Sequence, residues 1–156
     1  MNKYELTNET INHFGRSLYR IRALKDFADV KAGDLGGYIE KESNLSQDGD
    51  AWVYDNAWVY DNARVCGDAL VCDSARVYGD ARISSNFDWI YWRGAGREAR
   101  ATTVFRTKDN TIMVKCGCFE GDLQQFEKQV HKTHAGEDYE HEYMELIQFA
   151  KVHFKI

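Results

Sequence analysis

The sequence predicts a β-solenoid joined to a small α+β module. Alanine recurs every six residues at Ala51, Ala57, Ala63, Ala69, Ala75 and Ala81, with Val53, Val59, Val65, Val71, Val77 and Ile83 two places after each. The residues between are rich in Gly, Asp and Asn, as in Tyr54-Asp55-Asn56, Cys66-Gly67-Asp68 and Tyr78-Gly79-Asp80. After Asn86 the hexads stop, and short apolar runs give way to helical stripes.

Within each hexad, period-two alternation covers only A-x-V, so alanine and valine point one way and the middle residue the other. Gly, Asp and Asn tolerate left-handed backbone and close sharp corners. Short strands joined by sharp corners suit a triangular parallel coil, with the Ala and Val columns stacked about 4.8 Å apart. Upstream, Ile39 and Leu45 share the spacing, and Gly36-Gly37 are expected to turn the chain into the first rung. Two residues are inserted near Gln47-Asp48-Gly49. The expected organisation is an N-terminal cap over 1–35, the solenoid over 36–86 and an α+β module over 87–156. The absence of proline fits corners built on Gly, Asp and Asn.

These hexads resemble the left-handed β-helix of hexapeptide-repeat proteins, in which an aliphatic residue is followed four places later by a small one. Val53/Ala57, Val59/Ala63, Val65/Ala69, Val71/Ala75 and Val77/Ala81 carry the pattern. Asp29–Glu40 is similar to the lead-in of hexapeptide-repeat proteins of phages and bacteria, some of them labelled acetyltransferases. The resemblance implies an all-β left-handed parallel β-helix for the first half. It also implies a phage or mobile-element setting, in which small accessory proteins interfere with host defence.

With about 18 residues per coil, Trp58 is expected beside Arg76 and Tyr60 beside Tyr78. The outward face of Trp52, Tyr54, Trp58, Tyr60, Leu70, Arg76 and Tyr78 is more apolar than a lone chain leaves open. Either the C-terminal module or other subunits should cover it. The resembled class often trimerises through such faces, so a homotrimer is expected.

Hydrophobic content of 44% and aromatic content of 13% place the chain among ordered proteins. No run approaches a membrane span, and the polar start Met1-Asn2-Lys3-Tyr4-Glu5 is no secretory signal. Four cysteines then imply reduced thiols and a cytoplasmic location, that of the host cell if phage-encoded. A net charge of −5 argues against duplex DNA as a partner. The segment 87–118 is the basic exception: Arg93, Arg97, Arg100, Arg106, Lys108 and Lys115 outnumber Asp88, Glu98 and Asp109.

In the C-terminal module, Trp89–Trp92, Thr102–Thr107 and Thr111–Cys116 read as strands, the last two as a hairpin. Asp122 and Gln125 form a capping pair for a helix over 123–134 with the stripe Leu123, Phe126, Val130. A second helix is expected near 138–154. Arg93, Arg97, Arg100 and Arg106 surround Gly94 and Gly96, with Trp89 and Trp92 just before. Guanidinium forks and glycine N–H groups suit a phosphate or carboxylate, and an indole suits a stacked base. The alternative is a solvated arginine-rich loop.

Cys116-Gly117-Cys118-Phe119-Glu120-Gly121 with His134 resembles a small module that recurs in phage and bacterial proteins. Cys116, Cys118, His131 and His134 could form a zinc set, although C-x-C is tighter than usual. Cys118 with a histidine could be a nucleophile, activated near a helix N-terminus but lacking an orienting third group. The plainer reading packs Cys116 and Cys118 on one side of a strand and His134 into the core. No metal or cofactor is adopted. Acyltransferases and carbonic anhydrases of the resembled fold use coil histidines, whereas His13, His131, His134, His141 and His153 leave residues 14–130 without one. The expectation is a non-enzymatic binding protein, directed at a host protein complex or an anionic nucleotide signal. The alternatives are an acyltransferase relative, a Cys-dependent enzyme or a virion component.

Overall fold

The chain ahead of the hexads forms long strands rather than a loose cap. In this computed structural model, which describes residues 1–156, β1 (Tyr4–His13) and β2 (Arg16–Ala23) pair antiparallel. Their two-residue turn holds Phe14 at φ 49° and Gly15 at φ 85°, left-handed backbone that glycine adopts without a Cβ clash. β2 then pairs antiparallel with β3 (Leu35–Ile39). Gly36 and Gly37 are not turn residues but lie inside β3. A Cβ on Gly36 would stand 2.5 Å from the Val53 carbonyl oxygen, and one on Gly37 2.6 Å from that of Ala57. They are glycines because another backbone passes close by.

The hexads supply strands of two residues each: β4 (Trp52–Val53), β5 (Trp58–Val59), β6 (Arg64–Val65), β7 (Leu70–Val71), β8 (Arg76–Val77) and β9 (Arg82–Ile83). Each corner breaks the ladder at a left-handed residue: Asp55, Asp61, Gly67, Asp73 and Gly79, with φ between 53° and 66°. The repeat requires Gly or Asp there because other side chains pay for positive φ. The corners are also tied together. The Asp73 N–H donates to the Asp55 carboxylate at 3.2 Å, and the Gly79 N–H to Asp61 at 2.9 Å, eighteen positions along the chain.

The expectation of an all-β left-handed parallel β-helix is corrected by the sheet topology. The strands divide among separate small sheets, and none of them forms a solenoid. One five-stranded sheet runs β1-β2-β3-β5-β8, two-stranded pairs join β4 to β7 and β6 to β9, and a four-stranded sheet lies further on. The largest is mixed, antiparallel through β1, β2 and β3 and parallel from β3 to β5 to β8. The four-stranded sheet is wholly antiparallel, and two helices follow it. The physical reason is twofold. Two-residue strands cannot carry a ladder past a corner, and the N-terminal residues supply long antiparallel strands that join the sheet instead of capping it.

Residue-level neighbours do follow the expected eighteen-residue spacing. Arg76 lies over the Trp58 ring at 3.8 Å, a cation–π contact, and Tyr60 and Tyr78 stack at 6.0 Å. Leu45 bridges to Val65, which absorbs the two-residue insertion. The six alanines and the branched residues Val53 to Ile83 are at most 1% exposed. Each fully buried valine contributes about 1.5–3 kcal/mol.

Contacts divide the chain into two units, Met1–Asn86 and Phe87–Ile156. In the second, β10 (Trp89–Ala95), β11 (Arg100–Arg106), β12 (Ile112–Cys116) and β13 (Phe119–Asp122) form the antiparallel sheet in sequence order. α1 (Leu123–His134) starts on a reciprocal capping box: Asp122 accepts from the Gln125 N–H and Gln125 accepts from the Asp122 N–H, both at 2.8 Å. Leu123, Phe126 and Val130 of α1 pack with Tyr143, Ile147, Ala150 and Phe154 of α2 (Asp138–Phe154) over Val104, Ile112 and Val114. No helix is long and apolar enough to cross a membrane.

Candidate functional site

The predicted arginine–tryptophan cradle does not assemble as one site. β10 runs on to Ala95, so the connection is shorter than the loop read from sequence. Trp89 is buried, Trp92 packs against the helix-side core, and Arg93 is exposed. Arg106, at the far end of β11, pairs with Asp88 at 3.3 Å and lies 5.3 Å from the Phe154 ring centre. Arg97 and Arg100 are the pair brought together, at the β10–β11 connection.

Two adjoining clefts open there. One, of about 160 Å³, is walled by Cys116, Phe119, Phe126, Val130 and Tyr143, with Arg100, Cys118, Gln129, Thr133 and His134 at its polar parts. The other, of about 190 Å³, is lined by Arg97, Glu98, Arg100, Thr133, His134 and Tyr143. Arg100, Thr133, His134 and Tyr143 belong to both. The α1 contribution has a simple origin. Phe126, Gln129, Val130, Thr133 and His134 are spaced i, i+3, i+4, i+7, i+8, which is one face of a helix.

Tyr143 anchors the floor. Its hydroxyl donates to the Ala95 carbonyl at 3.2 Å and lies 3.8 Å from the Cys116 sulfur. Burial pushes its pKa well above that of an ordinary phenol, and the neighbouring Cys116 adds to the shift. The Thr102 hydroxyl donates to the Cys116 sulfur at 3.2 Å. Gly96, at φ 81°, leaves no room for a side chain because the Tyr143 ring lies against it. Gly117, at φ 58°, lies under the Arg100 guanidinium at the mouth of the cleft. The His134 ring stacks on Tyr143 at 5.6 Å. Its Nδ1 is buried without a hydrogen-bond partner, 3.9 Å from the Glu137 carboxylate.

The cysteines do not share one side of a strand. Cys116 ends β12 in the core, whereas Cys118 is exposed in the turn that Gly117 makes. A whole strand, β13, separates Cys118 from the start of α1. The zinc set is not assembled. His131 is turned to Glu140 at 3.1 Å, and no group of three or more His, Cys, Asp or Glu is placed to hold a metal.

In the first unit, the expected partner face is covered by its own chain. Trp52 is 1% exposed, with the Tyr4 ring 6.1 Å and the Phe27 ring 5.3 Å away. His13 lies edge-on to Trp58 at 5.0 Å and to Tyr60 at 5.2 Å, and Arg16 lies 5.8 Å from the Tyr60 ring centre. Tyr78 is buried, while Tyr54, Leu70 and Arg76 are half-buried. The chain's own residues thus cover Trp52, Tyr60 and Tyr78, and leave Tyr54, Trp58 and Leu70 half-buried.

The residues define an α+β protein whose C-terminal unit carries a small cleft, apolar at one end and basic at the other. No family model matches the chain. A 38-residue segment is 50% identical to the uncharacterized acetyltransferase YdcK of Escherichia coli (strain K12). That segment is 24% of this chain and 12% of YdcK, so the likeness to an acetyltransferase is local. Neither a phage origin nor an anti-defence role finds support in this relative or in the fold.

Proposed function

We propose that the C-terminal unit binds a small anionic ligand bearing one flat aromatic ring system, with nucleotides as the chemical class that suits both halves of the cleft. The observation that carries this reading is the common wall of the two clefts: Arg100, Thr133, His134 and Tyr143 face both. The apolar part, about 160 Å³, is near the ~150 Å³ of a cavity that accepts benzene. Phe119 and Phe126, with ring centres 5.3 Å apart, offer it aromatic walls. Gln129 and Thr133, bonded to each other at 2.9 Å, offer polar atoms to a ring edge. At the other end, Arg97 and Arg100 present guanidinium forks suited to phosphate oxygens.

Thermal-shift measurements with linear and cyclic nucleotides test this directly. Free ligand at about a hundredfold excess over Kd stabilises the folded unit by about 2.7 kcal/mol. Arg100→Gln should abolish that shift while the unliganded protein stays folded. Cys118, exposed at the cleft, should also react more slowly with a maleimide when ligand is bound, whereas Cys66 and Cys72 in the other unit keep their rates. No shift with any nucleotide at millimolar concentration, together with unchanged Cys118 reactivity, would refute the reading.

The likeness to YdcK favours a second reading, acetyl transfer. Coenzyme A is itself an adenine nucleotide, so acetyl-coenzyme A belongs in the same screen. Release of free coenzyme A in the presence of an amine or alcohol acceptor distinguishes turnover from binding.

A further inference from the structure

We infer that the carboxylates of Glu98, Glu137 and Glu142 are built-in competitors for the anion receptors of the cleft, and that they set it to accept a phosphate dianion over a carboxylate. This rests on the proposed ligand-binding reading. Three donors at the β10–β11 connection already hold a carboxylate from this chain. The Gly96 N–H donates to Glu142 at 2.6 Å, Arg97 pairs with Glu137 at 2.7 Å, and Arg100 pairs with Glu98 at 2.6 Å. Glu137 also stands 3.9 Å from His134 Nδ1, so one side chain faces two groups that an anion would use.

The carboxylates come from different places. Glu98 lies in the connection itself, Glu137 is the N-cap of α2, and Glu142 is in its first turns. The pairs are open to solvent: the Arg97 and Glu98 side chains are 64% and 65% exposed, and Arg100 is 43% exposed. Exposed ion pairs are weak and screened, so a ligand can displace them. What replaces them must offer more than they do. A ligand carboxylate exchanges one singly charged group for another of the same kind and gains nothing from charge. A phosphate monoester brings nearly two charges and three acceptor oxygens, enough to engage Arg97 and Arg100 together. The glutamates thus subtract a similar amount from every anion, and a dianion is left with net affinity.

The test compares adenosine 5′-monophosphate with the matched 5′-carboxylate of adenosine, by titration calorimetry. The wild-type protein should bind the monophosphate and bind the carboxylate at least about tenfold more weakly. Glu98→Gln combined with Glu137→Gln should tighten both ligands, by about three- to tenfold for weak exposed pairs. Both should gain by a similar factor, which lifts the carboxylate from unmeasurable to measurable affinity. Each single substitution, read in the same way, covers the case in which the double variant fails to fold. Unchanged or weaker monophosphate binding in the glutamine variants, while Arg100→Gln still abolishes it, would overturn the competitor inference and leave the binding site standing. Monophosphate binding by no variant at all, or binding indifferent to Arg100, would overturn the site itself.

Discussion

Raising the pH should stabilise the N-terminal unit through Lys3. This side chain is 1% exposed, and its Nζ donates to the carbonyls of Ala51 at 2.7 Å and Gly49 at 3.3 Å, with the Phe27 ring centre 5.1 Å away. Burial lowers its pKa from the ordinary 10.5 to about 8, against the opposing pull of Asp50 and Asp48. Below pH 8 both folded and unfolded chains carry the proton, and folding bears the full desolvation cost. Between about 8 and 10.5 the unfolded chain holds a proton that the folded chain has released. Stability therefore rises with pH through this window, and the cost is gone above it. The rise from pH 7 to pH 9 works out at about 1 kcal/mol. Urea unfolding at the two pH values, followed by tryptophan emission, measures it. Lys3→Met keeps the aliphatic stem but cannot titrate, so the difference between wild type and variant isolates the term. Cys72 works in the opposite sense, since burial beside Asp73 pushes its thiol up to about 11, and its effect begins near the ordinary 9.0. It is present in both proteins and cancels. An equal pH response in the variant would refute the role given to Lys3.

Two further substitutions probe the C-terminal unit. Gly96→Ala should destabilise it by about 1–3 kcal/mol, because φ 81° is strained for alanine and the new methyl meets the Tyr143 ring. The same change should weaken nucleotide binding by displacing Tyr143, as a thermal-shift titration would show. Asp122→Ala removes the capping acceptor for the Gln125 N–H and should cost about 1 kcal/mol by urea unfolding, with ligand affinity unchanged.

Local chemistry was legible in this sequence, and the division into sheets was not. The alanine and valine columns announced which side chains are buried, because alternation across A-x-V is short-range and unambiguous. The Asp122/Gln125 box was equally readable. The fate of residues 4–23 was not, since Glu5, Thr7, Glu9 and Asn12 hide the apolar side of β1 among polar neighbours. β13 was missed for a related reason: Phe119-Glu120-Gly121-Asp122 has no clear alternation, and glycine usually weakens a strand. At the site, Arg97 and Arg100 could be picked out as basic residues near glycine. Phe126, Gln129, Thr133 and His134 could not, because the spacing that lines a cleft is the spacing that lines a core. Only the gap between α1 and the β12–β13 turn separates the two uses. That gap depends on Gly117 and Tyr143, which lie outside α1 in elements that do not share its periodicity.

The two units use their polar groups differently, and this bears on where function resides. In the N-terminal unit the polar side chains are largely engaged with backbone. Asn44 bonds the Ala63 carbonyl and the Lys41 N–H, Lys3 bonds Ala51 and Gly49, and Arg76 and Arg82 bond the carbonyls of Asn56 and Asn62. Asp55 and Asp61 hold the next corners by their N–H groups. Such bonds compensate two-residue strands that satisfy little of the backbone by themselves. Removing Asn44 or Lys3 leaves the buried Ala63 or Ala51 carbonyl unpaired, so these residues have little freedom to recognise anything else. In the C-terminal unit the long strands and helices satisfy the backbone internally, and at the cleft Arg97 and Arg100 are held by exposed ion pairs and Gln129 by the Thr133 hydroxyl. A ligand there displaces weak exposed ion pairs rather than structural hydrogen bonds. Binding at the cleft therefore need not disturb the fold, which is the condition a recognition site on so small a unit has to meet.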